Sequence, residues 1–204
     1  MEKLFTAIGG FYNEEGTQLL SVPSDEQAIY AKVEEIMMRS PMGTVLKDED
    51  VAILRSYLPA IGCDEASRDD SGSLQGKGEV LKKAEGCGIS VDARGVLSVE
   101  SRWHADRKQW TGIMYVTRAG GEAQVKELQF EFHYLSVGKD DQGRFIVLYN
   151  EIYHRSFNDP YHLADFNGGG TAQASRMDIS KHAQWGFYMH VKCKVLTAEG
   201  TLAF

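Results

Sequence analysis

The side chains best suited to chemistry crowd between positions 154 and 167, where His154, Asp159, Tyr161, His162, Asp165 and Asn167 fall close together. Upstream, Glu131 and His133 stand two positions apart in a run of alternating polar and apolar residues. An imidazole beside a carboxylate forms an acid/base pair, because the carboxylate raises the histidine pKa and fixes its tautomer. His133, Glu131, His154, His162, Asp159 and Asp165 are therefore the candidate catalytic set. The same stretch also has a structural explanation. Asn158-Asp159-Pro160 has the composition of a turn, and Gly168-Gly169-Gly170 permits positive φ without any ligand.

Other chemistries find less support. The glycine triplet lacks the spacing of a P-loop. His133, His154, His162 and His190 could converge on a metal if a sheet curled, but no His-x-His pair or His-Glu-x-x-His box accompanies them, and neither metal nor cofactor is expected. No Gly-x-Ser-x-Gly elbow is present, and Cys63, Cys87 and Cys193 sit in no catalytic-thiol signature, so they read as structural thiols. For recognition, Trp110, Tyr149, Tyr153, Tyr161 and Tyr188 are residue types that interfaces and ligand pockets favour. Asn167 and Gly169 join them as backbone-rich positions in the long polar segment.

Two opposed files frame the question these residues pose. On a strand over Gln124 to Val137, Lys126, Leu128, Phe130, Phe132 and Tyr134 leave one side, and Glu127, Gln129, Glu131 and His133 the other. The apolar file belongs to a core. The polar file is either a wet outer face or the lining of a pocket.

The elements that must position these files change character along the chain. A short helix is expected over Lys3 to Tyr12, weakened by Gly9-Gly10. Ser24 heads a capping-box pattern, and Ile29, Val33, Ile36 and Met37 recur at helical spacing until Ser40-Pro41. A second helix is expected near Asp48, with acids at its positive end and Val51, Leu54, Tyr57 and Leu58 inward. Residues 64–78 read as a polar linker or loop and Glu79 to Glu85 as a short helix. From Gly88 the period becomes 2: strands flank a turn at Asp92 to Gly95, and others run over Trp110 to Thr117, Phe145 to His154 and Gln184 to Leu196, with an edge strand at Thr201 to Phe204. Phe145 to His154 is apolar on both faces, as expected of a central strand, with Ile146, Leu148 and Ile152 opposite Phe145, Val147, Tyr149 and Tyr153. Arg155 to Ala183 reads as a long functional loop.

The sequence therefore predicts an α+β protein: a helical region over 1–63, a polar linker over 64–78, and a curved antiparallel sheet of five to seven strands over 79–204, forming one domain with the helices packed on it. Its 204 residues suffice for a core that buries roughly 70% of the unfolded surface. The net charge of −7 lies wholly in the front half, where residues 1–94 carry 17 acids and 10 bases. That balance disfavours generic nucleic-acid and anionic-lipid binding. Lacking a long apolar run or signal pattern, the chain is expected to be soluble and cytoplasmic. The leading functional expectation is a non-catalytic protein that binds another macromolecule, foremost a protein, through a sheet face or the 155–183 segment; homo-oligomerisation is compatible with this. The alternative is a small-molecule enzyme or receptor with a sheet-lined pocket.

Overall fold

Period-2 patterning becomes antiparallel sheet here, but in two layers. The computed structural model describes residues 7–11, 26–58, 65–68, 74–102, 104–158, 170–179, 182 and 184–204. In chain order the elements are β1 (Ala7–Phe11), α1 (Glu26–Arg39), α2 (Asp48–Tyr57), β2 (Glu65–Arg68), β3 (Leu74–Gly86), β4 (Ile89–Arg102), β5 (His104–Gly121), β6 (Val125–Lys139), β7 (Phe145–Phe157), β8 (Gly170–Ile179), β9 (Gln184–Thr197) and β10 (Gly200–Ala203). One five-stranded sheet has the order β1-β9-β6-β7 with β10 also on β9; the other runs β2-β3-β4-β5-β8. The fold is α+β with antiparallel sheets, and two stacked sheets replace the single curved one expected.

Alternation explains the stacking. Leu97, Val99, Trp110, Met114 and Val116 of one sheet meet Leu128, Phe130, Phe132, Tyr134, Phe187, Met189, Val191, Cys193 and Val195 of the other in a shared core. Close approach there requires glycine: a Cβ on Gly112 would lie 2.4 Å from the Phe132 ring. The opposite face of the β1-β9-β6-β7 sheet is covered by the helices, where Val33, Ile36, Met37, Val51, Leu54 and Leu58 pack on Phe11, Leu135, Val137, Val147 and Tyr188. Val33, Ile36 and Met37 of α1 and Val51, Leu54 and Leu58 of the second helix and its end are buried where their periodicity predicts, with Tyr57 half-buried beside them, while the Ile29 side chain, Ser24 and Pro59 lie outside what is described. Asn150 fastens the end of α1 by donating to the carbonyls of Met37 (2.7 Å) and Ser40 (2.9 Å).

Several expectations are corrected, each for a local reason. Residues 7–11 form a strand, not part of a helix; Gly9 allows its backbone to pass Leu58, whose carbonyl oxygen would lie 2.9 Å from an added Cβ. Strands at 65–68 and 74–86 occupy much of the supposed linker and the supposed helix at Glu79 to Glu85. The β3–β4 turn falls at Cys87 (φ 50°) and Gly88 (φ 72°), since both central positions of a type I′ turn need positive φ. Asp92 to Gly95 instead lie inside β4, with Gly95 paired to Met114. The 155–183 segment is not all loop, because β8 pairs with β5 over ten residues.

Register irregularities flip faces in ways a strict period-2 count misses. Near Lys126 the shift exposes that lysine and sends Val125 into the core. Between Val147 and Tyr149 another puts Phe145 and Val147 on the helix side but Tyr149 and Tyr153 on the sandwich side. A third, at Trp185, turns Gln184 inward and leaves Trp185 against Phe145, away from Phe187. β7 is also an edge strand rather than a central one, its first residues bonded to the backbone of residues 43–46.

Candidate functional site

The polar file of β6 is neither a wet face nor a simple pocket lining, because its environment changes along the strand. Glu127 and Gln129 stand at the open end, Glu131 is half-buried, His133 is buried beneath α1, and Leu135 and Val137 continue the file into the apolar helix contact. Cross-strand register fixes the neighbours: His133 pairs with His190, and Glu131 with both Lys192 and His154. All of these side chains leave the same sheet face.

Glu34 of α1 closes this face from above. It follows Tyr30 by one helical turn and flanks the buried Val33, so its carboxylate is carried down onto the sheet. His190 donates from Nδ1 to Glu34 Oε1 at 2.8 Å, and the Lys192 ammonium bonds Oε2. His133 Nδ1 lies 3.8 Å from Glu34 Oε1, too far for a hydrogen bond, and its Nε2 lies 3.4 Å from Glu131 Oε2. Lys194 donates to Glu131 Oε1 at 3.1 Å, where His154 Nδ1 approaches to 3.9 Å. Imidazoles and carboxylates therefore alternate from the surface inward: His154, Glu131, His133, Glu34, His190. Tyr30 lies over the His190 ring with centroids 4.5 Å apart.

Charge and burial set the protonation of this cluster. Burial pushes the Glu34 carboxyl up, but the hydrogen bonds from His190 and Lys192 and the attraction of both groups when charged outweigh it, leaving a pKa of about 2. Glu131 is likewise lowered: burial opposes the shift, and the Lys194 and His133 contacts overcome it. Burial holds both His133 and His190 below the ordinary histidine value, so at neutral pH the rings are neutral and Lys192 supplies the charge that Glu34 answers. Tyr188 beside them is raised well above a normal tyrosine by burial, then by the Glu34 charge. Its hydroxyl and His133 Nδ1 have no hydrogen-bond partner among the described residues.

At its uncovered end the face opens into a cleft of about 250 Å³ lined by Glu127, Gln129, Phe130, Glu131, His154, Arg155 and Ser156. His154 is the exposed imidazole of this cleft, and Glu131 joins it to the buried cluster.

Of the sequence candidates, Glu131, His133 and His154 are brought together. His162, Asp159, Asp165, Tyr161, Asn167 and Gly169 lie outside the described residues. Trp110 and Tyr188 are fully buried and pack in the two cores, so neither presents a surface. Tyr149 and Tyr153 are half-buried against the sandwich core, the former donating to Glu151 at 2.7 Å. Cys193 is buried, which pushes its thiol to about 12; Cys63 lies outside the described residues. No group of three or more histidine, cysteine or acidic residues suited to hold a metal is found among the described residues. Sequence reasoning missed Glu34, Lys192 and Lys194. The lysines stand on the same strand file as His190, whereas Glu34 meets them from a distant helix and carries no local signal. No helix among the described residues is long and apolar enough to cross a membrane. Comparison with protein-family models, with curated proteins and with solved structures finds no match for this chain.

Proposed function

We propose that the protein is a non-catalytic module that binds another protein, using the corner formed by the end of α1 and the turn after it. One observation carries this reading: Met38 (75% exposed), Met42 (67%) and Val45 (43%) gather within one short segment as outward-facing apolar side chains. Methionine is flexible and polarizable and suits an adaptable contact surface. Glu35 and Glu49, on either side of the corner, are exposed but answer Arg39 (3.0 Å) and Lys47 (3.9 Å) within the chain, so the preference for a partner with basic residues around its apolar anchors rests on the net charge of −7. The imidazoles beneath α1, by contrast, are occupied by contacts within the chain.

A second reading, a small polar ligand or substrate handled in the cleft, is favoured by the His154–Glu131 approach at 3.9 Å. One experiment separates the two. The wild-type chain and a Met38→Lys/Met42→Lys variant of equal thermal stability are purified from the native cell by affinity tag. A stoichiometric protein bearing a basic, apolar segment, recovered with the wild type and lost with the variant, is expected. Identical recovery from both chains, or turnover of a small molecule that His154→Gln abolishes and the methionine variant does not, would overturn the protein-binding reading.

A further inference from the structure

Two buried histidines facing each other across a strand pair are costly to charge, and here they lie at the contact that seats a helix. His133 and His190 are 4% and 5% exposed, with ring centroids 6.0 Å apart. The groups facing them are Tyr30 and Glu34 from α1, Glu131 from β6, Tyr188, Lys192 and Lys194 from β9, and His154 from β7 through Glu131; Lys82 of β3 acts on His190 at longer range. The two carboxylates are already matched by two ammonium groups, so a proton added to the histidine pair is a buried charge that Glu34 and Glu131 answer only in part, and burial outweighs them. The exposed His154 starts an alternating imidazole–carboxylate file that leads from the cleft to the pair, with gaps of 3.9 Å to Glu131 and 3.8 Å between His133 and Glu34.

We propose that the His133–His190 pair is a proton-sensitive latch whose charging in mild acid lifts the middle of α1 from the sheet and bares Tyr188 beside the pair. The C-terminal end of α1 stays tethered by Asn150 and by the Arg39–Asp50 ion pair, so the release begins in the middle of the helix. The direction follows from linkage. Both folded-state histidine pKa values lie below the ordinary 6.5, so the seated state binds fewer protons, and its stability is complete above 6.5 and falls as pH drops below it. Glu34, lowered from 4.5 to about 2, withdraws its own contribution only in stronger acid, as pH falls through that lower window.

Amide hydrogen exchange of the whole chain between about pH 7.5 and 5, expressed as protection factors, tests the latch. Amides of the middle of α1 are expected to lose protection below 6.5 by up to about tenfold per pH unit for each proton taken up, while β5 and β6 keep theirs. In His133→Gln/His190→Asn, whose amides still donate but do not titrate in this range, α1 is expected to stay protected. Equal loss in wild type and variant, simultaneous loss from α1 and β6, or protection of α1 that holds or rises in acid would overturn the proposal. Should the double variant fail to fold, ring titrations of the wild-type histidines by NMR decide: midpoints at or above 6.5, or α1 resonances that do not follow them, would overturn it equally.

Discussion

Glu34→Ala lowers the stability of the chain by about 2–3 kcal/mol at neutral pH, an effect expected of a carboxylate that holds a helix to a sheet. Removing one partner of a fully buried ion pair costs about 3–5 kcal/mol, because the remaining charge is stranded away from water. The Lys192 side chain is 34% exposed, so water recovers part of that cost. His190 simultaneously loses the acceptor of its 2.8 Å hydrogen bond. Urea denaturation followed in the sheet measures the change as a lower midpoint with unchanged slope. A loss under about 0.5 kcal/mol, the level of an ordinary surface pair, would mean that Glu34 is solvated and α1 is seated by its apolar residues alone.

Trp110→Ala is expected to cost about 3–5 kcal/mol, the range for deleting a large aromatic from a packed interior. The indole is fully buried and stacks on Tyr134 with centroids 5.6 Å apart, joining the two sheets. Its Nε1–H has no partner among the described residues, and neither has Oε1 of Gln184, whose amide nitrogen donates to Tyr134 and Ser136. Trp110→Phe, which keeps a ring and removes the unpaired donor, therefore costs less than the alanine change. The measurement separates two roles for this residue. A surface anchor would lose partner binding with its folding midpoint unchanged, whereas the core position loses the midpoint first.

What the sequence made legible follows from how local each signal is. Val33, Ile36 and Met37 reveal the buried stripe of α1 because helical period needs no partner to be read. Phe130, Phe132 and Tyr134 reveal the sandwich face of β6 in the same way. Face assignments fail where an extra residue enters one strand: Val147 and Tyr149 share parity in sequence and lie on opposite faces, and no residue type in Leu148 announces the irregularity. β1 and residues 79–85 of β3 carry the marks of helices, and Gly76 and Gly78 in the rest of β3 read as loop; only at Gly9 does the structure show the reason, the close passage of Leu58. The site was half legible. Glu131, His133 and His190 stand out on their files, but the residue that closes them in, Glu34, meets His190 and Lys192 across 156 and 158 positions of chain, and no local pattern encodes that meeting.

The sheet topology thus turns a row of polar residues into the seat of a helix, with only its far end left open as a cleft. A double-mutant cycle between Glu34 and Lys192, each changed to alanine singly and together and followed by urea denaturation at neutral pH, tests that claim most directly. A coupling energy of about 1 kcal/mol or more is the expected result, since the two groups act as one pair. Effects that add to within about 0.3–0.5 kcal/mol would show two independent side chains and contradict it.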